Sequence, residues 1–311
     1  MPSNHATPLI GIDLGGTKIE IIALAPSGET LHRTRIQTPK AENPTHQYQA
    51  IITAIKTLIL DCENTIQHTH LPVGIGIPGA ISPKTGLIKN ANTTCLIGKD
   101  FKQDLELALQ RPIKIENDAN CFALSEAVDG AGIAGNSVFG VILGTGVGGG
   151  IVINKHVHIG ANAIGGEWGH NPLPWPNDAD QPAQACYCGK KGCIETYLSG
   201  PGMSIQAQQE INRKVTSHSI FESRHQESEF QLVYEKYIDR LARSLASVIN
   251  IMDPEIIVLG GGLSNVDSIY QDIPAIWEQY AFTDGLGTLL LKNQYGDSSG
   301  VRGAAWLNRP Q

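Results

Sequence analysis

The sequence predicts an α/β protein made of two halves with the same plan. Three observations carry this reading. The chain begins as a strand meander and then alternates helix with strand. The same order of patterns returns from Val138 onward. Each half also opens on a glycine-rich turn that follows an apolar run. The first turn is Asp13-Leu14-Gly15-Gly16-Thr17-Lys18 and the second is Gly144-Thr145-Gly146-Val147-Gly148-Gly149-Gly150. A chain of 311 residues is long enough for two domains with their own cores.

In chain order, the first 7 residues are polar and expected to be loose. Leu9–Leu14, Ile19–Leu24 and Thr30–Thr38 read as strands, with Pro26-Ser27-Gly28 as a turn. Asn43-Pro44 starts a helix, because proline in the first turn gives up an N–H that would be unpaired anyway. Tyr48, Ile51, Ile52, Ile55, Leu58 and Ile59 then recur at helical spacing. Val73–Ile77 is a buried strand ending at Pro78-Gly79. Leu105–Leu109 lies in a short helix, Ile113–Ile115 is a strand, and Asp118 opens the next helix. In the second half, strands at Val138–Leu143 and Gly150–Ile153 flank the second turn. Gly160 to Gly192 is rich in Gly, Pro and Cys and reads as loop. Ser223 to Glu229 is charged and solvated. A long helix from about Gln231 to Met252 carries Tyr237, Leu241, Leu245, Val248 and Met252 on one face, and Asp253-Pro254 stops it. Ile256–Leu259 is a strand running into Gly260-Gly261-Gly262.

The formal net charge of -7 argues against nucleic acid or an anionic membrane as the main partner. The most apolar helical run, Ala50 to Leu60, is broken by Thr53 and Lys56 and is too short to span a bilayer. The N-terminus lacks the basic and apolar regions of an export signal, so a cytoplasmic location is expected. Of the 6 cysteines, 3 crowd between Cys186 and Cys193, which favours a metal over disulfides.

Glycine lets backbone amides crowd around a phosphate with no Cβ in the way, so two glycine turns suggest two halves clasping one polyphosphate. Neither turn is a P-loop, and a plain hairpin is the competing reading of each. Asp13, at a strand end beside Gly15-Gly16-Thr17, can hold a magnesium ion next to phosphates; its other reading is an Asx turn. The Thr17 and Thr145 hydroxyls are placed to donate to phosphate oxygens. Lys18 begins a strand and has a solvent-facing reading as well. Cys186-Tyr187-Cys188 and Cys193, with His170 nearby, make a full Cys₃His set for zinc; four protein ligands leave no open position, so such a zinc is structural.

Gly11-Ile12-Asp13-Leu14-Gly15-Gly16-Thr17-Lys18 and Gly144-Thr145-Gly146 resemble the phosphate segments of sugar kinases in the actin-like ATPase superfamily, and more narrowly of the ROK family (repressors, open reading frames, kinases). The resemblance runs from about Leu9 to Leu307. It implies an α/β, two-domain actin-like ATPase (ribonuclease H-like) fold with an interdomain cleft. Residues 1–121 plus about 300–311 would form a small N-terminal domain, and 122–299 a larger C-terminal domain carrying the zinc loop. The last helix, about Gly300 to Leu307, would return to the N-terminal domain.

The resemblance also implies roles. Asn117-Asp118-Ala119-Asn120 matches a family motif in which Asp118 is the general base and Asn117 a sugar ligand; by itself Asp118 reads as a helix N-cap. Asn92, Glu167, His170 and Glu195 match sugar-binding positions, and Pro78-Gly79-Ala80 completes the sugar side. Gly260-Gly261-Gly262 matches the adenosine-binding turn. His170, Cys186, Cys188 and Cys193 match the zinc signature. ATP, Mg²⁺ and structural Zn²⁺ follow as cofactors, with a homodimer as the expected assembly. The narrowest likeness is to bacterial fructokinase of the mannokinase type, carried by Glu167 to Trp175 and Gly296 to Trp306. Cys95 departs from it, standing where related fructokinases often carry Trp, and bears on the shape of the sugar pocket. Phosphorylation of fructose at the 6-hydroxyl is therefore the first expectation, with mannose or glucose as secondary substrates. An N-acetylglucosamine or glucose kinase is the alternative. A sugar-responsive regulator is the non-enzyme alternative; a strand starting by Leu9 leaves no helix-turn-helix ahead of it.

Overall fold

The protein is described by a computed structural model over residues 7–310, so the expectation for residues 1–6 lies outside the described residues. The chain runs through β1 (Leu9–Leu14), β2 (Lys18–Leu24), β3 (Thr30–Gln37), α1 (Pro44–Thr65), β4 (Val73–Ile77), β5 (Ala80–Ile81), β6 (Ile88–Lys89), α2 (Phe101–Leu109), β7 (Ile113–Asn117) and α3 (Asp118–Val128). It continues with β8 (Ser137–Leu143), β9 (Val147–Ile153), β10 (His156–Val157), α4 (Glu195–Leu198), α5 (Gly200–Ile211), α6 (Ser217–Ser223), α7 (Ser228–Met252), β11 (Ile256–Gly260), α8 (Ile269–Asp272), β12 (Leu289–Lys292) and α9 (Ser299–Trp306).

The two halves build the same sheet. The first has strand order β3-β2-β1-β4-β7 and the second β10-β9-β8-β11-β12. In each, three strands form an antiparallel meander and two more add in parallel. The apolar periodicity of α1 lands on the first sheet: Tyr48, Ile51, Ile52, Ile55, Leu58 and Ile59 are all buried there. Asn43 caps that helix by accepting from the Thr45 and His46 N–H groups.

Each half ends on a helix that packs against the other half. α3, which follows β7, lies on β8 and β9, whereas α9, which follows β12, lies on β1 and β4. The two helices also cross each other closely. Leu9, Ile22 and Leu24 of the first sheet join Phe122, Val138, Val258, Val301 and Trp306 in one apolar cluster at this seam. Glu126 of α3, fully buried, accepts from Ser299 Oγ at 2.7 Å, and Arg302 pairs with Asp129. The expected division at residues 121 and 122 falls inside α3.

Four local expectations need correction. β2 starts one residue early, at Lys18. The second glycine run is a turn only over residues 144–146; Gly148, Gly149 and Gly150 belong to β9, paired with Ile142, Val141 and Gly140. The reason is α3: a Cβ on Gly150 would stand 2.6 Å from the Ala119 carbonyl, so bare backbone is needed for the helix to lie there. The cap of α3 is Asn117, whose Oδ1 accepts from Ala119 and Asn120 N–H at 2.9 and 3.2 Å; Asp118 is the first helical residue. Finally, α7 begins at Ser228, so only part of the charged segment is loop.

The long segment between β10 and α4 is tied down by buried charge. Arg240 and Arg243 of α7 grip Asp180 at 2.8 and 3.0 Å, and Arg243 also donates to the Pro174 and Trp175 carbonyls. Burial alone would raise the Asp180 carboxyl, but the Asn177 N–H and the two guanidiniums more than offset this and hold it low. Among the described residues no helix is long and apolar enough to cross a membrane.

A Cβ at Gly303 would collide with the Cys121 carbonyl across the α3–α9 crossing, whereas one at Gly285 meets open space. Gly303→Ala should therefore lower the unfolding free energy by about 1–3 kcal/mol, and Gly285→Ala should stay within about 0.5 kcal/mol. Urea unfolding of the two variants checks the contrast.

Candidate functional site

Both glycine turns are hairpins at equivalent places in the two sheets, β1–β2 and β8–β9. Thr38, at 4% exposure, pins the first by donating its hydroxyl to the Gly15 carbonyl and its N–H to the Thr17 carbonyl. The second is pinned from α4 and the start of α5: Gly200 N–H donates to the Gly144 carbonyl and Val147 N–H donates to Glu195 Oε2 at 2.9 Å. Gly16, Thr17 and Thr145 stay exposed at the turn tips.

A cavity of about 640 Å³ opens between the halves. Asn92, Asn117 and Asp118 line it from the first half and Gly144, Thr145, Gly146, Glu167, His170 and Glu195 from the second, so the sugar-side set and the second turn meet in one cleft. Asp13, Gly15, Gly16, Thr17 and Lys18 do not line this cavity, and neither do Gly260, Gly261 and Gly262. Asp13 is nonetheless close enough to Asp118 to feel its charge, and the first turn of α9 covers it at Gly300. Lys18 is partly exposed, lies 3.8 Å from Asp297, and is near enough to Asp13 for its charge to oppose the rise of that carboxyl. Gly260 ends β11 beside β8; Gly261, at φ +81°, abuts the Leu143 backbone, which sets that turn next to the second glycine hairpin. Cys95 is buried in the core of the first half and does not shape the cleft.

The carboxylates here are perturbed by their surroundings. Burial raises the Asp118 carboxyl, the Ala119 N–H opposes this, and the Glu167 charge adds to it, leaving Asp118 at about 6. Asp13 is pushed up to about 7, first by burial and then by the Asp118 and Glu20 charges. Asn117 spends its carbonyl on the α3 cap and one amide hydrogen on the Gly79 carbonyl, and its side chain also helps to lower the Asp118 carboxyl against burial.

At one edge of the cleft, ligand atoms of His170, Cys186, Cys188 and Cys193 all lie within 4.8 Å of one another. His170 Nδ1 is 3.6 Å from Cys186 Sγ, and the Cys188 and Cys193 sulfurs are 3.6 Å apart. Thiolates about 2.3 Å from a tetrahedral ion sit roughly 3.8 Å from each other, so this donor set fits a closed metal site. Of two residues that sequence reasoning passed over, Tyr187 belongs to the wall and Trp168 is buried outside it. Tyr187, between two of the cysteines, places its hydroxyl 3.0 Å from His170 Nε2. Trp168 packs behind Glu167 and donates its indole N–H to the Gly148 carbonyl. A side chain flanked on both sides by candidate ligands must point away from the metal, and that spacing was the available signal for Tyr187.

The chain matches the ROK family over residues 9–311. An N-acetyl-D-glucosamine kinase of Vibrio atlanticus (strain LGP32) is 38% identical over 303 residues, covering 96% of this chain and 98% of that protein. Among solved structures, the ROK hexokinase from Thermus thermophilus superposes with a TM-score of 0.83 at 27% identity, with 96% of each chain covered. A ROK family glucokinase from Streptomyces griseus, in complex with glucose and AMPPNP, gives a TM-score of 0.75 at 26% identity, over 97% of this chain and 99% of that one. Two sheets of one topology, a cleft between them and a match along nearly the whole length lead to one assignment: the chain belongs to the ROK family as a sugar kinase with the two-domain actin-like ATPase fold.

Proposed function

We propose that this protein transfers the γ-phosphoryl group of ATP to the primary 6-hydroxyl of a hexose, with Asp118 as the general base. The observation that carries this is the cleft itself, which gathers the Asp118, Glu167 and Glu195 carboxylates with the second glycine turn. Carboxylates accept from vicinal hydroxyls, and the backbone amides of a glycine turn suit phosphate. Asn92, Asn117, Glu167, His170 and Glu195 would orient the sugar. Asp118, at the start of α3, would take the proton of the attacking hydroxyl. Asp13 would hold magnesium, which when bound neutralises charge on the phosphates. Gly260-Gly261-Gly262 would receive the adenosine. Residues 1–121 with 300–311, and residues 122–299, would be the two lobes whose closure excludes water from ATP.

For the sugar, the relatives favour the alternative over the first expectation. The similar curated kinases carry the name N-acetyl-D-glucosamine kinase, which supports N-acetylglucosamine as the first substrate to test. Fructose follows, on the motif resemblance at Glu167 to Trp175 and Gly296 to Trp306. Part of that resemblance lies away from the cleft, since Trp175 stacks on Tyr280 and residues 299–306 form α9. A coupled ADP-release assay across N-acetylglucosamine, fructose, mannose and glucose ranks them by kcat/KM. For the metal we propose zinc on His170, Cys186, Cys188 and Cys193, fixing the loop that ends at Glu195.

Asp118→Asn should lose at least about 10³-fold in kcat while ATP binding, read by calorimetry, is retained; turnover near wild type would end the assignment. In the wild type the base must be ionised to accept a proton. With the Asp118 carboxyl at about 6 and that of Asp13 at about 7, log kcat/KM should be level above about 7, begin to fall below it and steepen below about 6 as both carboxylates take up protons. Removal of zinc, followed by elemental analysis, should lower kcat/KM by roughly 10-fold or more; undiminished activity in protein shown to be metal-free would sink the structural-zinc role.

A further inference from the structure

A second cavity lies on the seam between the halves and shares no lining residue with the cleft. It holds about 370 Å³ and sits between β7 and β10, the outer strands of the two sheets. A hollow of about 240 Å³ continues it past Ile81, Ile115 and Ile159. Volumes of this size suit small molecules. Four cations line the larger part: Lys102 and Lys114 from the first half, Lys155 from the second, and Arg309 just beyond α9. Lys114 Nζ donates to the Leu307 carbonyl at 2.7 Å, Lys155 Nζ to the Ile133 and Gly135 carbonyls, and Arg309 to the Lys155 carbonyl. Neutral carbonyls fix these groups without cancelling their charge. Among the described residues none of these three pairs with a carboxylate, and Lys102 reaches Glu106 only at 3.9 Å. Glu116, the one acid in the lining, accepts through Oε1 from Asn117 N–H and Asn120 Nδ2. Burial lowers the Lys155 amine, and the Arg309 charge lowers it further. A chain of net charge -7 that gathers uncancelled cations on one seam has a place for an anion. Trp306, 5% exposed, also borders the cavity, and its indole N–H has no acceptor among the described residues. A buried donor left unpaired calls for an acceptor from outside the chain.

We propose that this cavity binds an organic phosphate monoester with an apolar body, its phosphate held among Lys102, Lys114, Lys155 and Arg309. Several cations around one site suit a dianion better than a single carboxylate. A dianion there also relieves the repulsion between Lys155 and Arg309. The rest of the lining is apolar, with Ile81, Ile115, Leu124 and Val157, and an inorganic ion would leave it uncovered. The occupant touches both halves and the end of α9, so the site bridges the seam. The proposal is independent of the hexose kinase reading, which the ADP-release assay tests alone.

The test titrates phenyl phosphate into the wild type by calorimetry, with benzoate and inorganic phosphate as partial mimics. Magnesium and nucleotide are left out, so the Asp118, Glu167 and Glu195 carboxylates turn a dianion away from the cleft. Phenyl phosphate should bind saturably, one per chain, at least about three-fold more tightly than either mimic. Arg309→Gln should weaken it by about ten-fold or more, as expected for a lost bond to a charged group. Lys102→Glu should weaken it by about three-fold or more. That variant alters an exposed side chain near the start of α2, so its loss of affinity does not come from misfolding. Glu195→Gln, in the cleft, should leave phenyl phosphate affinity within about two-fold. Absence of saturable binding overturns the proposal. So does wild-type affinity in both Arg309→Gln and Lys102→Glu, a larger change in Glu195→Gln than in either, or a mimic that binds as tightly as phenyl phosphate.

Discussion

The crossing of α3 and α9 is the contact on which the rest of the molecule depends. Each helix completes one half in sequence and covers the sheet of the other half in space. Their approach is close enough that backbone meets backbone at Gly303, and the buried Glu126 draws Ser299 and the chain leading into α9 onto it. Asp118 is the first residue of α3 and Asp13 lies under the first turn of α9, so one seam sets both carboxylates. Burial raises both carboxyls, and the Asp118 charge raises Asp13 further.

The loop that closes the cleft from the other side has two anchors of different chemistry. At its root, Arg240 and Arg243 hold Asp180 inside the second half, where the pairing is shielded from water. At its tip, a histidine and three cysteines converge. Between them the chain must deliver Glu167, Tyr187 and Glu195 to one wall. Val147 N–H on Glu195 then ties that wall to the glycine hairpin by one hydrogen bond.

Most of the fold was legible because its signals are local. The helical spacing from Tyr48 to Ile59, the cap at Asn43 and the stop at Asp253-Pro254 each depend on neighbours in sequence, and each element lies where those neighbours put it. The site was legible where a motif carries it: Asn117-Asp118, Glu167, His170 and Glu195 do converge. What escaped was set at long range. Gly148 to Gly150 look like a turn until α3 is known to lie on them. Nothing in the neighbouring sequence marks Arg243 for burial against Asp180, 63 residues away. Cys95 seemed to bear on the pocket, yet its side chain turns into the core, a choice made by packing that spacing does not encode.

The repeated strand order has one more consequence. If β1 corresponds to β8, then α3 corresponds to α9, and the two equivalent helices meet at the seam between the halves. Each of them covers the sheet of the opposite half, so the halves are joined by a reciprocal pair of helices. The final turns of the chain are therefore one member of that pair, and trimming them would bare the apolar face of β1 that Val301, Ala305 and Trp306 help to cover.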